Sequence, residues 1–346
     1  MAADATDVAQ SDYRECGGLT IATNNWSMPR IGAHMSVAGG VSKAVDRAVV
    51  HGCEALQIFS KNANRWHSKP LDRAEIRRFR RALDHAGIGP AVSHASYLIN
   101  LGTTIPALRE ASIAAFIDEL DRAHALGLLG LVIHPGTCTA GTEDNALRLV
   151  ADAVRLAFKS RPRRRTMVLF EHTAGQGRTL GHRFEHLARI LEHLDGSPRA
   201  GVCLDTCHLV ASGYDIVTSA GYEETFRAFE TLVGIDRLRV FHANDSKRPC
   251  GSRIDRHEHI GHGCLGLEPF QRLLHDPRFR ELPFLIETEK SPDCSKPQVI
   301  AADPLDVRNL ETLRRLRREK IRKKGSQEDQ EDREGNHREI GEIRER

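Results

Sequence analysis

Short apolar runs alternate with longer amphipathic stretches along most of the chain. The runs are RIGAH (Arg30–His34), ALQIF (Ala55–Phe59), AVSH (Ala91–His94), GLVIH (Gly130–His134), MVLFE (Met167–Glu171), GVCLD (Gly201–Asp205), LRVFH (Leu238–His242) and FLIE (Phe284–Glu287). They are too short for helices and nearly continuous in apolar residues, as strands buried on both faces are. Between them, helical spacing predicts helices over Gly40–His51, Arg73–Ala86, Ile105–Leu126, Glu143–Phe158, Arg183–Leu194, Tyr222–Val233 and Leu267–Leu274, with a last one over 304–323. Strand–helix units repeated in this way predict a single-domain α/β fold, a parallel (β/α)8 TIM barrel. A doubly wound open sheet is the alternative architecture.

The strand ends carry the chemistry. His34, His94, His134, Glu171, Asp205, His242 and Glu287 each close a run. In a parallel barrel the C-terminal strand ends share one face, where active sites lie. Unrelated core residues would account for one or two such positions, not for the whole series. The stretch FHANDSKRPCGSRIDRH (241–257) adds a dense set of polar heads, and burial would demand a partner for each. Asp255 and His257 are two apart, so in extended chain they point the same way. Asp205 and His208 in DTCH are three apart and can serve neighbouring ions. Glu171 opens the Gly-containing segment EHTAGQG, and its two oxygens can bridge a pair of ions. His172 beside it is either an outer partner of the site or structural. Imidazole with carboxylate suits Zn²⁺, and Mn²⁺ or Fe²⁺ less distinctively.

Composition narrows the setting. A net charge of +3 over 346 residues is too small to indicate nucleic acid by itself, so any DNA-binding surface must be a local patch. No apolar run approaches the ~18 residues of a membrane span. Residues 1–27 have neither the basic nor the apolar segment of a secretory signal and read as a flexible leader. The 8 Cys are scattered, and Cys203 and Cys207 lack zinc-ribbon spacing, so reduced, mostly buried thiols and a cytoplasmic protein are expected. From about Glu311 the chain turns basic (RRLRREKIRKK, 314–324) and then mixed in charge. The domain is therefore drawn at 28–310, with 311–346 a charged, disordered tail that acts as a DNA tether or is simply solvated.

HASYLINLG (94–102), HPGT (134–137), EHTAGQG (171–177), GVCLDTCH (201–208) and HANDSKRPCGSRIDRH (242–257) together resemble the endonuclease IV family of apurinic/apyrimidinic endonucleases, over roughly residues 30 to 290. The resemblance implies three zinc ions: one on His94, His134 and Glu171, a second on Glu171, Asp205, His242 and Glu287, and a third on His208, Asp255 and His257. His34 corresponds to a family histidine beside the ligands. Glu171, shared by two ions, is the residue on which catalysis would depend. The implied reaction is hydrolysis 5′ to an abasic site in duplex DNA, leaving a 3′-hydroxyl and a 5′-deoxyribose phosphate, with trimming of blocked 3′ ends, by a monomer that binds no membrane.

Tyr97 matches the tyrosine the family inserts into the damaged duplex. The family's gap-filling arginine falls at Asn64 here, and Arg65 follows it, so either residue could serve. Asn244, Lys247, Arg253 and Arg256 are candidates for phosphate contact or support of the ligands, and the role of His262 in GHG (261–263) is open. A metal-dependent sugar isomerase or epimerase of the same barrel class is the alternative reading. The third ligand set argues against it. A non-catalytic relative would have lost ligands, and all nine are present.

Overall fold

Side chains alternate across a strand, and in this chain the alternation separates two kinds of core. The computed structural model describes residues 28–292 and 300–319, so the leader and most of the charged tail lie outside the described residues. The elements follow in the order β1 (Arg30–Met35), α1 (Val41–Val50), β2 (Ala55–Phe59), α2 (Arg73–Ala86), β3 (Ala91–His94), α3 (Pro106–Leu126), β4 (Gly130–Ile133), α4 (Glu143–Ser160), β5 (Met167–Glu171) and α5 (Phe184–His193). Then come β6 (Ala200–Asp205), α6 (Thr206–Ser212), α7 (Ser219–Leu232), β7 (Leu238–His242), β8 (Asp245–Ser246), β9 (His257–Glu258), α8 (Glu268–His275), β10 (Pro283–Ile286) and α9 (Pro304–Arg318). Eight parallel strands close in the order β1-β10-β7-β6-β5-β4-β3-β2, which is the expected barrel and not an open sheet.

Val92, Val132, Leu169, Cys203, Val240 and Leu285 belong to a small cluster that fills the barrel interior. Two residues further along each strand path, on the same inward face, come His94, His134, Glu171, Asp205, His242 and Glu287. The apolar plug thus carries a polar layer at the barrel's mouth. The intervening residues, such as Leu131, Ile133, Phe170 and Phe241, face the helices and join the larger outer core. That core takes the apolar faces of helices such as α4, where Ala146, Leu147, Val150, Val154 and Ala157 are buried and Thr142 caps the N-terminus by accepting from Asn145 N–H.

Two expectations change. The segment after β7 reads in sequence only as a polar stretch, but it folds out as an antiparallel pair, with Asp245 opposite Glu258 and Ser246 opposite His257. Two-residue strands leave no periodic signal. The domain also does not end at 310. The final helix runs to Arg318 with Leu310, Leu313 and Leu316 buried, an apolar seam hidden in the basic run and shorter than the helix expected to 323. Arg317 reaches Glu54 at 2.6 and 2.8 Å, so part of the expected tail is bound to the barrel.

Candidate metal centre

Glu171, at the end of β5, is fully buried and touches four imidazoles. Its Oε2 lies 2.9 Å from His94 Nε2 and 3.1 Å from His134 Nε2, and its Oε1 lies 3.0 Å from His242 Nδ1 and 3.3 Å from His208 Nδ1. His242 Nδ1 also lies 3.1 Å from Glu287 Oε2 and 3.9 Å from Asp205 Oδ2. On the hairpin side, Asp255 lies 3.2 Å from His208 Nε2 and 3.4 Å from His257 Nε2, which is 3.5 Å from Asp205. Ligand atoms gather within 4.8 Å of one another in the groups His94–His134–Glu171, Glu171–Asp205–His242–Glu287 and His208–Asp255–His257. The structure therefore brings all nine sequence-selected residues together. A fourth group, Asp205–Cys207–His257, overlaps them.

The donors fit cations. His208 Nε2 and His257 Nε2 point among carboxylates yet have no aligned hydrogen-bond partner among the described residues. Buried carboxylates crowded in this way need positive charge within reach, from imidazole protons or from bound cations. Burial opposes ionisation of Glu171, but His242, His134 and His208 outweigh it and hold its pKa well below the usual carboxylate range. Burial likewise opposes charge on Asp255, and His208 and His257 bring it down to about 2. His208 is raised well above the ordinary histidine value, its burial outweighed by Asp205, Asp255 and Glu171. Cys207 comes near Asp205 and His257, but burial pushes its thiol up to about 12.

The groups behind the ligands fix their orientation. Asn244 donates to Asp205 Oδ2 at 2.7 Å and accepts from Glu287 N–H at 2.8 Å, so it supports the ligands. His208 Nδ1 is paired with the carbonyl of His172 at 2.8 Å. That carbonyl is what His172 offers the site; its ring packs against Phe184 and Tyr214. Asp245 accepts from the N–H groups of Ser246, Gly261, Gly263 and Leu265 at 2.7–3.0 Å. A Cβ at Gly263 would come within 2.5 Å of Asp245 Oδ1, which is why a glycine closes GHG. His262 itself is exposed. His34 stands beside the ligands, 3.5 Å from Glu287.

The remaining candidates lie on the rim. Tyr97 is 68% exposed, its ring edge-on to Phe59 at 5.5 Å and 6.0 Å from that of His94. Asn64 and Arg65 are exposed on the loop after β2. Lys247, Arg253 and Arg256 are exposed on the strand-pair excursion; Lys247 is 3.5 Å from Glu289, and Arg253 has φ 53°. Sequence reasoning missed two buried groups. One is Gln57, a polar residue inside an apolar strand. The other is the Lys61–Glu119 ion pair at 3.4 Å, which ties the rim loops together: Lys61 donates to Trp66 O at 2.7 Å, Glu119 accepts from Ser96 N–H, and Ser96 Oγ donates to Ala63 O. Of the described cysteines, Cys53, Cys138, Cys203 and Cys207 are buried free thiols as expected, whereas Cys250 and Cys264 are exposed.

Residues 45–316 match the family described as a xylose isomerase-like TIM barrel. The chain is 49% identical over 269 residues to the "Probable endonuclease 4" of Chloroflexus aurantiacus, covering 78% of this chain and 94% of that one. The chain belongs to the endonuclease IV family. As a member it is an endonuclease, a hydrolytic enzyme. The crystal structure of endonuclease IV from Thermus thermophilus is similar at a TM-score of 0.72 and 36% identity, over 83% of this chain and 98% of that one. D-psicose 3-epimerase from Clostridium cellulolyticum is similar at a TM-score of 0.59 and 14% identity, over 84% and 98%. That likeness concerns the barrel fold alone. No helix among the described residues is long and apolar enough to cross a membrane.

Proposed function

We propose that this chain is a DNA repair enzyme that hydrolyses the phosphodiester 5′ to abasic sites in duplex DNA, leaving a 3′-hydroxyl and a 5′-deoxyribose phosphate, and that it trims blocked 3′ ends. It would hold three zinc ions and act as a cytoplasmic monomer. One observation carries the reading: three groups of nitrogen and oxygen donors converge at one barrel mouth and two of them share Glu171, with Cys207 beside Asp205 and His257. Such donors suit zinc. Zinc ions held there would supply Lewis-acid charge to the phosphodiester and acidify a bound water to a pKa of about 7.

The chain's own residues do the rest. Glu171 spans two ligand groups and faces four imidazoles, so it sets the spacing of the centre. Asn244 fixes Asp205 and the backbone of Glu287. Tyr97, with Asn64 or Arg65 on the adjoining loop, stands where a duplex approaching the mouth would meet it. An abasic sugar costs less to extrude than a stacked nucleotide, and these residues would fill the gap it leaves. Lys247 and Arg253 would contact phosphates. No side chain is assigned as a nucleophile.

The test pairs metal analysis of purified protein with cleavage of a duplex containing one abasic analogue, and with conversion of ketoses as the alternative. About three zinc ions per chain, cleavage 5′ to the lesion and no ketose turnover are expected. One ion per active chain, or ketose turnover without cleavage, would overturn the proposal. Chelation should abolish cleavage slowly, because the ligands are reached from the mouth alone.

A further inference from the structure

Strand β2 reads ALQIF, and its one polar side chain, Gln57, turns into the barrel beneath the metal centre and is fully buried. Burying an amide is costly unless each end finds a partner. Here both ends find partners in the centre itself. Gln57 Oε1 is 2.9 Å from His242 Nε2. Its Nε2 is 2.5 Å from Glu287 Oε1 and 3.1 Å from His34 Nδ1. The β1–β2 register sets His34 directly beside Gln57.

The chemistry allows one orientation of the amide. An amide oxygen only accepts and an amide nitrogen only donates. Turned over, the amide would set its oxygen against the carboxylate of Glu287, acceptor against acceptor. In the orientation present, His242 must carry a proton on Nε2. Its Nδ1 is then the atom left for a ligand bond, and it is the Nδ1 that faces Glu171, Glu287 and Asp205 at 3.0, 3.1 and 3.9 Å. The same amide holds Glu287, the other end of that ligand group. Outer hydrogen bonds of this kind fix ring orientation and ligand basicity, and losing one typically weakens metal affinity or activity by about 10–100-fold.

We infer that Gln57 is a positioning residue for the Glu171–Asp205–His242–Glu287 group, fixing the His242 tautomer and clamping Glu287 through one buried amide. The inference rests on the metal-dependent reading of the site. It assigns β2, which contributes no ligand, a part in the centre.

The test uses the full chain with Gln57→Met and Gln57→Leu, both close in volume and without a hydrogen-bond donor or an amide oxygen. Three measurements are made: zinc content and release to a chelating dye, the visible spectrum of the cobalt-substituted protein, and steady-state cleavage of an abasic duplex. One ion of the three should leave about 10–100-fold faster than from the parent, the cobalt spectrum should change, and kcat should fall with KM nearly unchanged. A merely structural Gln57 would lower the melting temperature of the metal-stripped protein and leave the cobalt spectrum as it was. Parent-like release and spectrum in whichever variant folds overturn the inference alone. A parent protein that binds no metal overturns it together with the proposed function.

Discussion

Removing the ring of Tyr97 should separate recognition of damage from the chemistry. The side chain is 68% exposed, its ring edge-on to Phe59 at 5.5 Å and tilted to His94 at 6.0 Å. An aromatic pair is worth about 0.5–1.5 kcal/mol, which sets the scale of the folding loss in Tyr97→Ala. Stacking on a base is worth about 1–3 kcal/mol, or roughly ten- to a hundredfold in Kd at ~1.4 kcal/mol per decade. Tyr97→Phe keeps the ring and removes only the hydroxyl, so if stacking carries the effect it should behave as the parent. Binding is read by anisotropy at fixed salt on a duplex with one abasic analogue and a non-hydrolysable linkage 5′ to it, and 3′-end trimming is read separately with metal content verified. Tyr97→Ala should lose roughly ten- to a hundredfold in binding and almost nothing in trimming, where the terminal nucleotide needs less help to leave the stack. Equal losses on both substrates, or none on either, would refute the reasoning. Asn64→Ala and Arg65→Ala, run alongside, decide which neighbour shares the gap.

Glu171→Gln keeps the shape but removes the charge facing four imidazoles, so cleavage should fall by orders of magnitude while duplex binding survives; near-parent turnover would sink the bridging role. Lys61 and Glu119 form a buried pair, and burial raises the Glu119 pKa to about 7, so at a pH above that value, where the carboxylate is ionised, Lys61→Met or Glu119→Leu alone should cost about 3–5 kcal/mol in urea unfolding and the double variant much less than the sum; additive losses would contradict the pairing. His124 is held down to about 4 by burial, with Arg164 and Arg80 adding to it, against an ordinary value of 6.5. The unfolded chain therefore binds the extra proton between pH 6.5 and 4, and the stability due to a neutral His124 is present above 6.5 and lost as pH falls toward 4. The urea midpoint of His124→Gln should accordingly drop less than the parent's across that window; parallel curves would contradict it.

The barrel and the six ligand candidates at its strand ends are readable because both depend on a period of two. A strand buried on both faces shows as an apolar run, and its last inward position shows as the histidine or carboxylate that ends it. Position alone puts His34 in the same series, and it is the family resemblance that sets it beside the ligands rather than among them. Gln57 escapes notice because one polar residue inside ALQIF has no spacing to betray it. Lys61 and Glu119 are far apart in sequence and meet through the closure of the barrel. The final helix is drawn outside the domain for the opposite reason: arginines on its outer face mask the seam of Leu310, Leu313 and Leu316. The part played by Asp245 depends on four backbone N–H groups, which no side-chain pattern reports.

The excursion from Asp245 to Glu258 divides the site into parts of unequal permanence. Six of the ligand candidates stand at barrel strand ends, where moving any one means shifting a register shared with two neighbouring strands. Asp255 and His257 ride on a loop held by a two-rung ladder, by Asp245, and by the Gly251 and Arg253 N–H groups donating to Val210 O and Ala211 O of α6. Insertions or deletions between Lys247 and Ile254 could retune or delete their contribution and leave the barrel intact. His208, the remaining member of the third ligand group, is fixed on α6, so Asp255 and His257 are the adjustable part of the candidate site, the place where a redesign could alter the ligand set without rebuilding the scaffold.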